Sequence, residues 1–116
     1  MPVAIGFASD LELDGHFTKH KAEFGVVTKA DYLAKALAFL NADRSKDTAL
    51  YECVRRNGYI LRLHIGTNEF AIMTPAGIIL TYYKPVPRHE ASLGTPLGRM
   101  HRFRNNLAYF KDCCNE

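Results

Sequence analysis

The stretch that decides the fold runs from Tyr59 to Tyr83 and reads YILRLHIGTNEFAIMTPAGIILTYY. It contains three segments rich in β-branched and aromatic residues, which are typical of strands. Gly66-Thr67-Asn68 and Pro75-Ala76-Gly77 make turns between them, and Asn57-Gly58 before them favours a two-residue hairpin to a further strand. The predicted strands are Leu50–Arg56, Tyr59–Ile65, Glu69–Met73 and Ile78–Tyr83. Together they predict a four-stranded antiparallel meander.

Helices are predicted before and after this meander in the sequence. Thr28 is an N-cap candidate for a helix over Lys29–Ala42, whose apolar residues recur every three or four positions. An earlier helix is expected over His16–Phe24, with Gly25 at its C-terminus and an acidic loop before it. The last helix is expected over about Arg99–Asp112. Val3–Phe7 is either a short strand or an irregular apolar anchor, and the fold class is α+β.

The composition indicates one globular domain over residues 1–116. Hydrophobic residues make up 47% and charged residues 23% of the 116, which argues against intrinsic disorder. No apolar stretch reaches the roughly 18 residues that a membrane span needs, and the N-terminus lacks the basic start of a signal peptide. The cysteines, Cys53, Cys113 and Cys114, are odd in number, so reduced thiols and a cytoplasmic location are expected.

The positive charge is concentrated near the C-terminus. Residues 1–83 hold nine Lys/Arg and nine Asp/Glu, whereas residues 84–116 hold six and three, which accounts for the whole net charge of +3. A basic segment of this kind is compatible with a polyanionic partner, although it is equally compatible with the solvated face of a helix. Its candidates for RNA contact are Arg99, Arg102 and Arg104.

Several short motifs, in this order along the chain, resemble one group of proteins. They are the KHKAEFG segment with its histidines, the helix ADYLAKALAFL, a hairpin ending in RRNG, the turn TNEF and the strand GIILTYYKP. Residues 16–85 are similar in this order to the barnase, EndoU, colicin and RelE-like ribonucleases, especially their small toxin and phage-associated members. Residues 1–15 and the basic helical extension, residues 86–116, have no counterpart in it.

The resemblance implies helices packed on an antiparallel sheet whose open face cleaves RNA without a metal or other cofactor. Carried onto this chain, the catalytic histidine would be His16 or His20 and the basic residue of a central strand would be Arg62. Thr67 would be the threonine of the turn, and the polar end of the last strand would supply Thr81 with Tyr82 or Tyr83.

The residue types fit that chemistry. RNA transesterification needs a base for the 2′-hydroxyl, an acid for the leaving oxygen and donors for the phosphoryl oxygens. His16 or His20 can exchange a proton near neutral pH, and the fork of Arg62 matches a phosphate. His64 shares a strand face with Arg62, which is expected to point away from the most apolar face, so it is a further RNA-binding candidate. Each of these side chains is also compatible with a purely structural or solvent-exposed position that has no part in catalysis.

Two functions therefore compete. The first is a metal-independent endoribonuclease acting on single-stranded or tRNA-like RNA in the cytoplasm. If it is a toxin, it would be delivered into a target cell cytoplasm and would need an immunity or antitoxin protein. The second is a nonenzymatic module of phage or mobile-element origin that binds RNA or a protein on the same scaffold. Neither involves a membrane, and the oligomeric state is left open.

Overall fold

The computed structural model describes residues 3–26, 28–85 and 106–115 as an α+β fold. Its helices and strands are β1 (Gly6–Phe7), α1 (Asp10–Phe24), α2 (Lys29–Asn41), β2 (Leu50–Val54), β3 (Ile60–His64), β4 (Phe70–Met73), β5 (Ile78–Tyr83) and α3 (Asn106–Cys114). A 3-10 turn, Arg44–Lys46, lies between α2 and β2. Within these ranges no helix has both the length and the apolar character needed to cross a bilayer.

The strands form one mixed sheet in the order β1-β5-β4-β3-β2. Strands β2 to β5 pair antiparallel with their neighbours, which confirms that part of the predicted meander. Strand β1 adds a fifth member, because Gly6 and Phe7 pair in parallel with Ile78 and Ile79. The prediction of a purely antiparallel four-stranded sheet is therefore incomplete, and the opening segment is the short strand that it had left open.

Helix α1 begins six residues before its predicted start, at Asp10 instead of His16. Ser9 caps it, since its Oγ accepts a hydrogen bond from the amide of Glu12 at 3.2 Å. The acidic side chains of the first turn also suit the positive end of the helix dipole. The residues predicted as an acidic loop are thus the first turns of the helix, and Gly25 ends it with φ of 64°.

The first hydrophobic core lies between α1, α2 and one face of the sheet. Thr28 caps α2 as predicted, and the ring of Tyr32 from the first turn of α2 is fully buried in this core. The hydroxyl of Tyr32 donates to the carbonyl of Tyr82 at 2.5 Å, while the ring of Phe24 stacks on Tyr82 with centroids 4.4 Å apart. These contacts fix both helices against β5.

A second hydrophobic core lies on the opposite face of the sheet, under α3. Its buried members are Leu61, Leu63, Phe70, Tyr109, Phe110 and Cys113. The pattern of β3 predicts a core on one face of the sheet and an open surface on the other. That prediction is wrong, because Leu61 and Leu63 alternate with Ile60 and so carry an apolar stripe to the second face. The predicted last helix ends at Cys114, and its residues 99–105 lie outside the described ranges.

A disulfide joins the second core to β2, contrary to the expectation of three reduced thiols. Cys53 of β2 is bonded to Cys114 of α3 across 61 residues of sequence, and Cys113 is buried in the second core. Adjacent cysteines at the end of a helix point about 100° apart, so one can face the core while the other reaches a strand. The odd cysteine count was therefore a misleading guide.

Gly77 makes the tightest backbone approach at the junction of β1 and β5. Its φ is +87°, and a Cβ there would lie 2.0 Å from the carbonyl oxygen of Val3. The amide of Ile5 also donates to the carbonyl of Gly77 at 2.9 Å. We expect Gly77→Ala to lower the free energy of unfolding by about 2 kcal/mol or more, since strain in this region costs 1–2 kcal/mol before any displacement of β1.

The matched control is Gly15→Ala, measured by urea unfolding under the same conditions. Gly15 lies within α1 and its added Cβ would meet no atom within 4 Å. This variant should gain roughly 0.5–1 kcal/mol, since alanine favours the helix over glycine. Equal stabilities of the two variants would show that β1 is not held against Gly77.

Candidate active site at the end of strand β5

Three polar residues of α1 lie on the side of the helix that meets the end of β5. They are His16, His20 and Glu23, whose spacing of four and three residues places them on one helical face. The imidazole of His20 stacks on the ring of Tyr83 at a centroid distance of 5.3 Å, and His16 lies 6.2 Å from His20. Phe7 stacks on His16 at 5.1 Å. We call Phe7, His16, His20 and Tyr83 the histidine row.

Glu23 fixes His20 against the last strand. One carboxylate oxygen lies 2.5 Å from Nδ1 of His20, and the other accepts the amide of Lys84 at 2.7 Å. An ionised carboxylate only accepts hydrogen bonds, so Nδ1 of His20 carries the proton and Nε2 is the nitrogen not committed to Glu23. This arrangement of a carboxylate behind an imidazole orients a proton-transfer group.

His16 has a different environment from His20. Its Nδ1 is buried and has no hydrogen-bond partner among the described residues, and burial is the main reason that the pKa of His16 lies below its ordinary value of 6.5. The nearby His20 and Lys19 lower this pKa further, while Glu12 opposes them. Burial therefore favours the neutral form of His16.

The lowered pKa of His16 has a consequence for stability. In the unfolded chain His16 takes up a proton near pH 6.5, whereas in the folded protein it does so only at lower pH. The free energy of unfolding should therefore decrease as the pH falls through this window and be unaffected above it. Urea unfolding of wild type and His16→Gln between pH 7.5 and 5 tests this, because the variant should lose part of the acid sensitivity. Identical pH dependences would contradict the burial of His16.

A cleft borders His16 on the outer side of α1. It has a volume of about 410 Å³, and its described lining residues are Leu11, Glu12, Gly15, His16 and Lys19. The exposed Lys19 places a cation one helical turn from His16. Of the histidine row, only His16 lines this cleft, and its charged lining residues are Glu12 and Lys19.

Arg62 is not part of this cluster. Only 3% of it is exposed, and it forms an ion pair at 2.8 Å with Glu52. Its Nη1 also donates to the carbonyls of Phe39 and Ala42 at 3.1 and 2.8 Å, at the end of α2. Arg62 does point away from the face of Leu61 and Leu63, as expected, but the expectation that its own face is open needs correction, because α2 covers that face and Arg62 caps the helix. It lines a separate cleft of about 660 Å³ there.

Tyr82 and Thr67 are joined through Glu69. Both hydroxyls donate to the carboxylate of Glu69, that of Thr67 at 2.6 Å. Tyr82 is fully buried, and burial followed by the hydrogen bond to Glu69 raises the pKa of its hydroxyl far above its ordinary value of 10. Tyr82 therefore keeps its proton and packs in the first core, and Thr67 shapes the turn between β3 and β4.

His64 has both ring nitrogens occupied. Its Nδ1 accepts the amides of Gly66 and Thr67, each at 3.0 Å, so Nε2 carries the proton and donates to Asp47 at 2.8 Å. Those bonds hold the turn after β3 against the loop before β2. His64 thus has an internal structural function in this fold.

The remaining predicted residues fall into two groups. Thr81 is half-buried on β5, beside the histidine row, in register with Ile72. Arg99, Arg102 and Arg104 lie outside the described residues.

Strand register places Arg62 opposite Ala71 and Ala71 opposite Tyr82, so two strand spacings separate Arg62 from β5. The structure therefore brings together His16, His20 and Tyr83, but not Arg62, His64 and Thr67.

Glu23, Lys19 and Lys84 are the residues that sequence reasoning missed as members of this site. The signal for Glu23 was present in the sequence, because it continues the spacing of His16 and His20 on one helix face. Within residues 3–26, 28–85 and 106–115, no group of three or more His, Cys, Asp or Glu side chains is placed to hold a metal ion.

No protein-family model matches this sequence. A search of curated proteins finds no match either. The resemblance to the ribonuclease group therefore stays a prediction that rests on the quoted residues and their order.

Proposed function

We propose that this protein is a metal-independent endoribonuclease that uses His16 and His20 for proton transfer. The observation that carries the proposal is a pair of imidazoles 6.2 Å apart in unlike surroundings. One is partly buried with a lowered pKa, and the other is held by a carboxylate. Pairs of titratable groups whose surroundings separate their properties are typical of acid-base sites.

The proposed roles follow from those surroundings. Neutral His16 accepts the proton of the ribose 2′-hydroxyl, and the 2′-oxygen attacks the adjacent phosphorus. The bond from phosphorus to the 5′-oxygen breaks, and the cationic form of His20 donates a proton to that oxygen. Glu23 stabilises this cationic form of His20 before the proton is transferred. The products are a 2′,3′-cyclic phosphate and a 5′-hydroxyl. Lys19 supplies positive charge for the phosphoryl oxygens from the cleft beside His16.

This assignment differs from the one that the family resemblance implies. It keeps the two histidines and the polar end of the last strand. Of the two alternatives there, Tyr82 and Tyr83, it selects Tyr83. It replaces Arg62 with Lys19 as the cation, since the guanidinium of Arg62 already binds Glu52 and two carbonyls. If the protein is a toxin, a partner that covers α1 and the end of β5 would inhibit it.

The test is incubation of purified protein with total RNA in EDTA, beside the same mixture with single-stranded DNA. We expect cleavage of RNA with 2′,3′-cyclic phosphate ends and no cleavage of DNA, because DNA lacks the attacking hydroxyl. RNA profiles that match the buffer control would refute the proposal. Equal cleavage of DNA would refute the mechanism.

The second candidate is a nonenzymatic module that binds RNA or a protein. It is favoured by one observation: Arg62, His64 and Tyr82, three residues of the predicted site, are committed to contacts inside the fold. In that case His16→Ala/His20→Ala would bind RNA as wild type does. Replacing Arg99, Arg102 and Arg104 together with glutamate would abolish RNA binding, and the salt dependence of the affinity would weaken with it.

A further inference from the structure

Helix α3 is attached to the sheet by a disulfide, by aromatic packing, and by a hydrogen bond at 2.7 Å from Nε of Arg55, which follows β2, to the carbonyl of Cys113. At one end, Cys114 is bonded to Cys53 of β2. Along the helix, Tyr109 and Phe110 pack on Phe70, with ring centroids 5.8 and 6.2 Å apart. The nine described residues of α3 bury Tyr109, Phe110 and Cys113 in the second core, and a helix in a protein takes most of its stability from such packing.

The same helix reaches the histidine row. The hydroxyl of Tyr109 lies 2.7 Å from the hydroxyl of Tyr83. The ring of Tyr83 in turn stacks on the imidazole of His20. The ring of Phe70 touches both tyrosines, with centroids 5.3 Å from Tyr83 and 5.8 Å from Tyr109. A continuous path of contacts therefore runs from the disulfide through α3 to His20.

We propose that the Cys53–Cys114 disulfide is a redox control on the position of Tyr83 and, through it, of His20. With the disulfide intact, α3 holds Tyr109 against Tyr83. When it is reduced, α3 loses its covalent attachment to β2, the two hydroxyls separate and the ring of Tyr83 no longer holds His20. The structural part of this proposal stands by itself, whereas its effect on RNA cleavage rests on the proposed function.

The chemistry requires a thiol or dithiol reductant. Its thiolate attacks one sulfur of the disulfide, the bond between Cys53 and Cys114 breaks, and a mixed disulfide forms. A second thiol of the reductant then releases the protein, so that two electrons and two protons give two cysteine thiols and the reductant becomes a disulfide. Cys113 is buried in the second core, with 3% of it exposed, and it is not part of the disulfide between Cys53 and Cys114.

The experiment compares the oxidised protein, the protein reduced with a dithiol, and Cys53→Ser/Cys114→Ser, with mass spectrometry to count free thiols. The readouts are amide hydrogen exchange of residues 106–115 and the NMR signals of the His20 ring. We expect reduction and the double variant to lower protection of α3 by about tenfold or more and to shift the His20 signals. Cys113→Ala, which keeps the disulfide, should resemble the oxidised wild type in both readouts.

A second variant separates the hydroxyl contact from folding of α3. Tyr109→Phe keeps the ring and the disulfide but removes one partner of the hydroxyl pair, so it should shift the His20 signals while α3 stays protected. Unchanged His20 signals in the fully reduced protein, or in Tyr109→Phe, would overturn the proposal. RNA cleavage is measured on the same samples and should fall on reduction. Absence of cleavage in every sample would count against the proposed function, while exchange and NMR would still decide the redox control.

Discussion

Arg62→Ala should lower the free energy of unfolding by about 3–5 kcal/mol, the cost of removing one partner from a buried ion pair. The side chain of Glu52 is only 11% exposed, so its carboxylate would remain buried without its cation. The carbonyls of Phe39 and Ala42 would also lose their donor at the end of α2. Chemical unfolding followed by circular dichroism measures the difference.

Arg56→Ala is the matched control for this result. Arg56 is exposed in the hairpin turn between β2 and β3, so its loss should change stability by less than about 0.5 kcal/mol. The comparison also separates the two interpretations of Arg62. A variant with unchanged stability but weakened RNA binding would contradict the structural function and restore Arg62 as a phosphate ligand.

His16→Ala and His20→Ala should each lower the rate of RNA cleavage by about 10²–10⁴-fold, the usual contribution of a general acid or base. Because both act in one step, the double variant should lose little more than the worse single variant. Glu23→Gln should lower the rate less, since His20 keeps its position but loses the charge that stabilises its cationic form. Initial rates with RNA in EDTA provide the comparison.

The pH dependence of cleavage tests His16 as the base. Burial lowers the pKa of His16 below 6.5, so the acidic limb of the rate profile should lie below pH 6.5. His64→Ala is the control, because its imidazole is bound to Asp47 and two amides away from the row. This variant should cleave RNA at close to the wild-type rate at a temperature where it remains folded. A loss as large as that of His20→Ala would contradict the location of the site.

Local patterns were sufficient for much of the fold. Thr28 and the apolar repeat after it determine α2, and Asn57-Gly58 determines the first hairpin, because caps and turns depend on neighbouring residues. The start of α1 was also readable, since Ser9 and Glu12 have the spacing of a capping box. It was missed because the acidic residues were interpreted as a loop.

Features that depend on distant residues could not be predicted in this way. The alternation of Leu61, Arg62 and Leu63 shows that they lie on opposite faces, but not that α3 covers one face and α2 the other. The pairing of Cys53 with Cys114 likewise requires α3 to lie on β2. For the site, residue type suggested His16 and His20, whereas the internal bonds of Arg62 depend on where α2 ends.

The most direct test of the histidine row as the active site is the rate of RNA cleavage in EDTA by His16→Ala/His20→Ala, relative to wild type. Both proteins are first shown by circular dichroism to be folded. The proposal predicts that wild type cleaves RNA to 2′,3′-cyclic phosphates and that the double variant is slower by about 10²-fold or more. Cleavage at the same rate by the two proteins would contradict it.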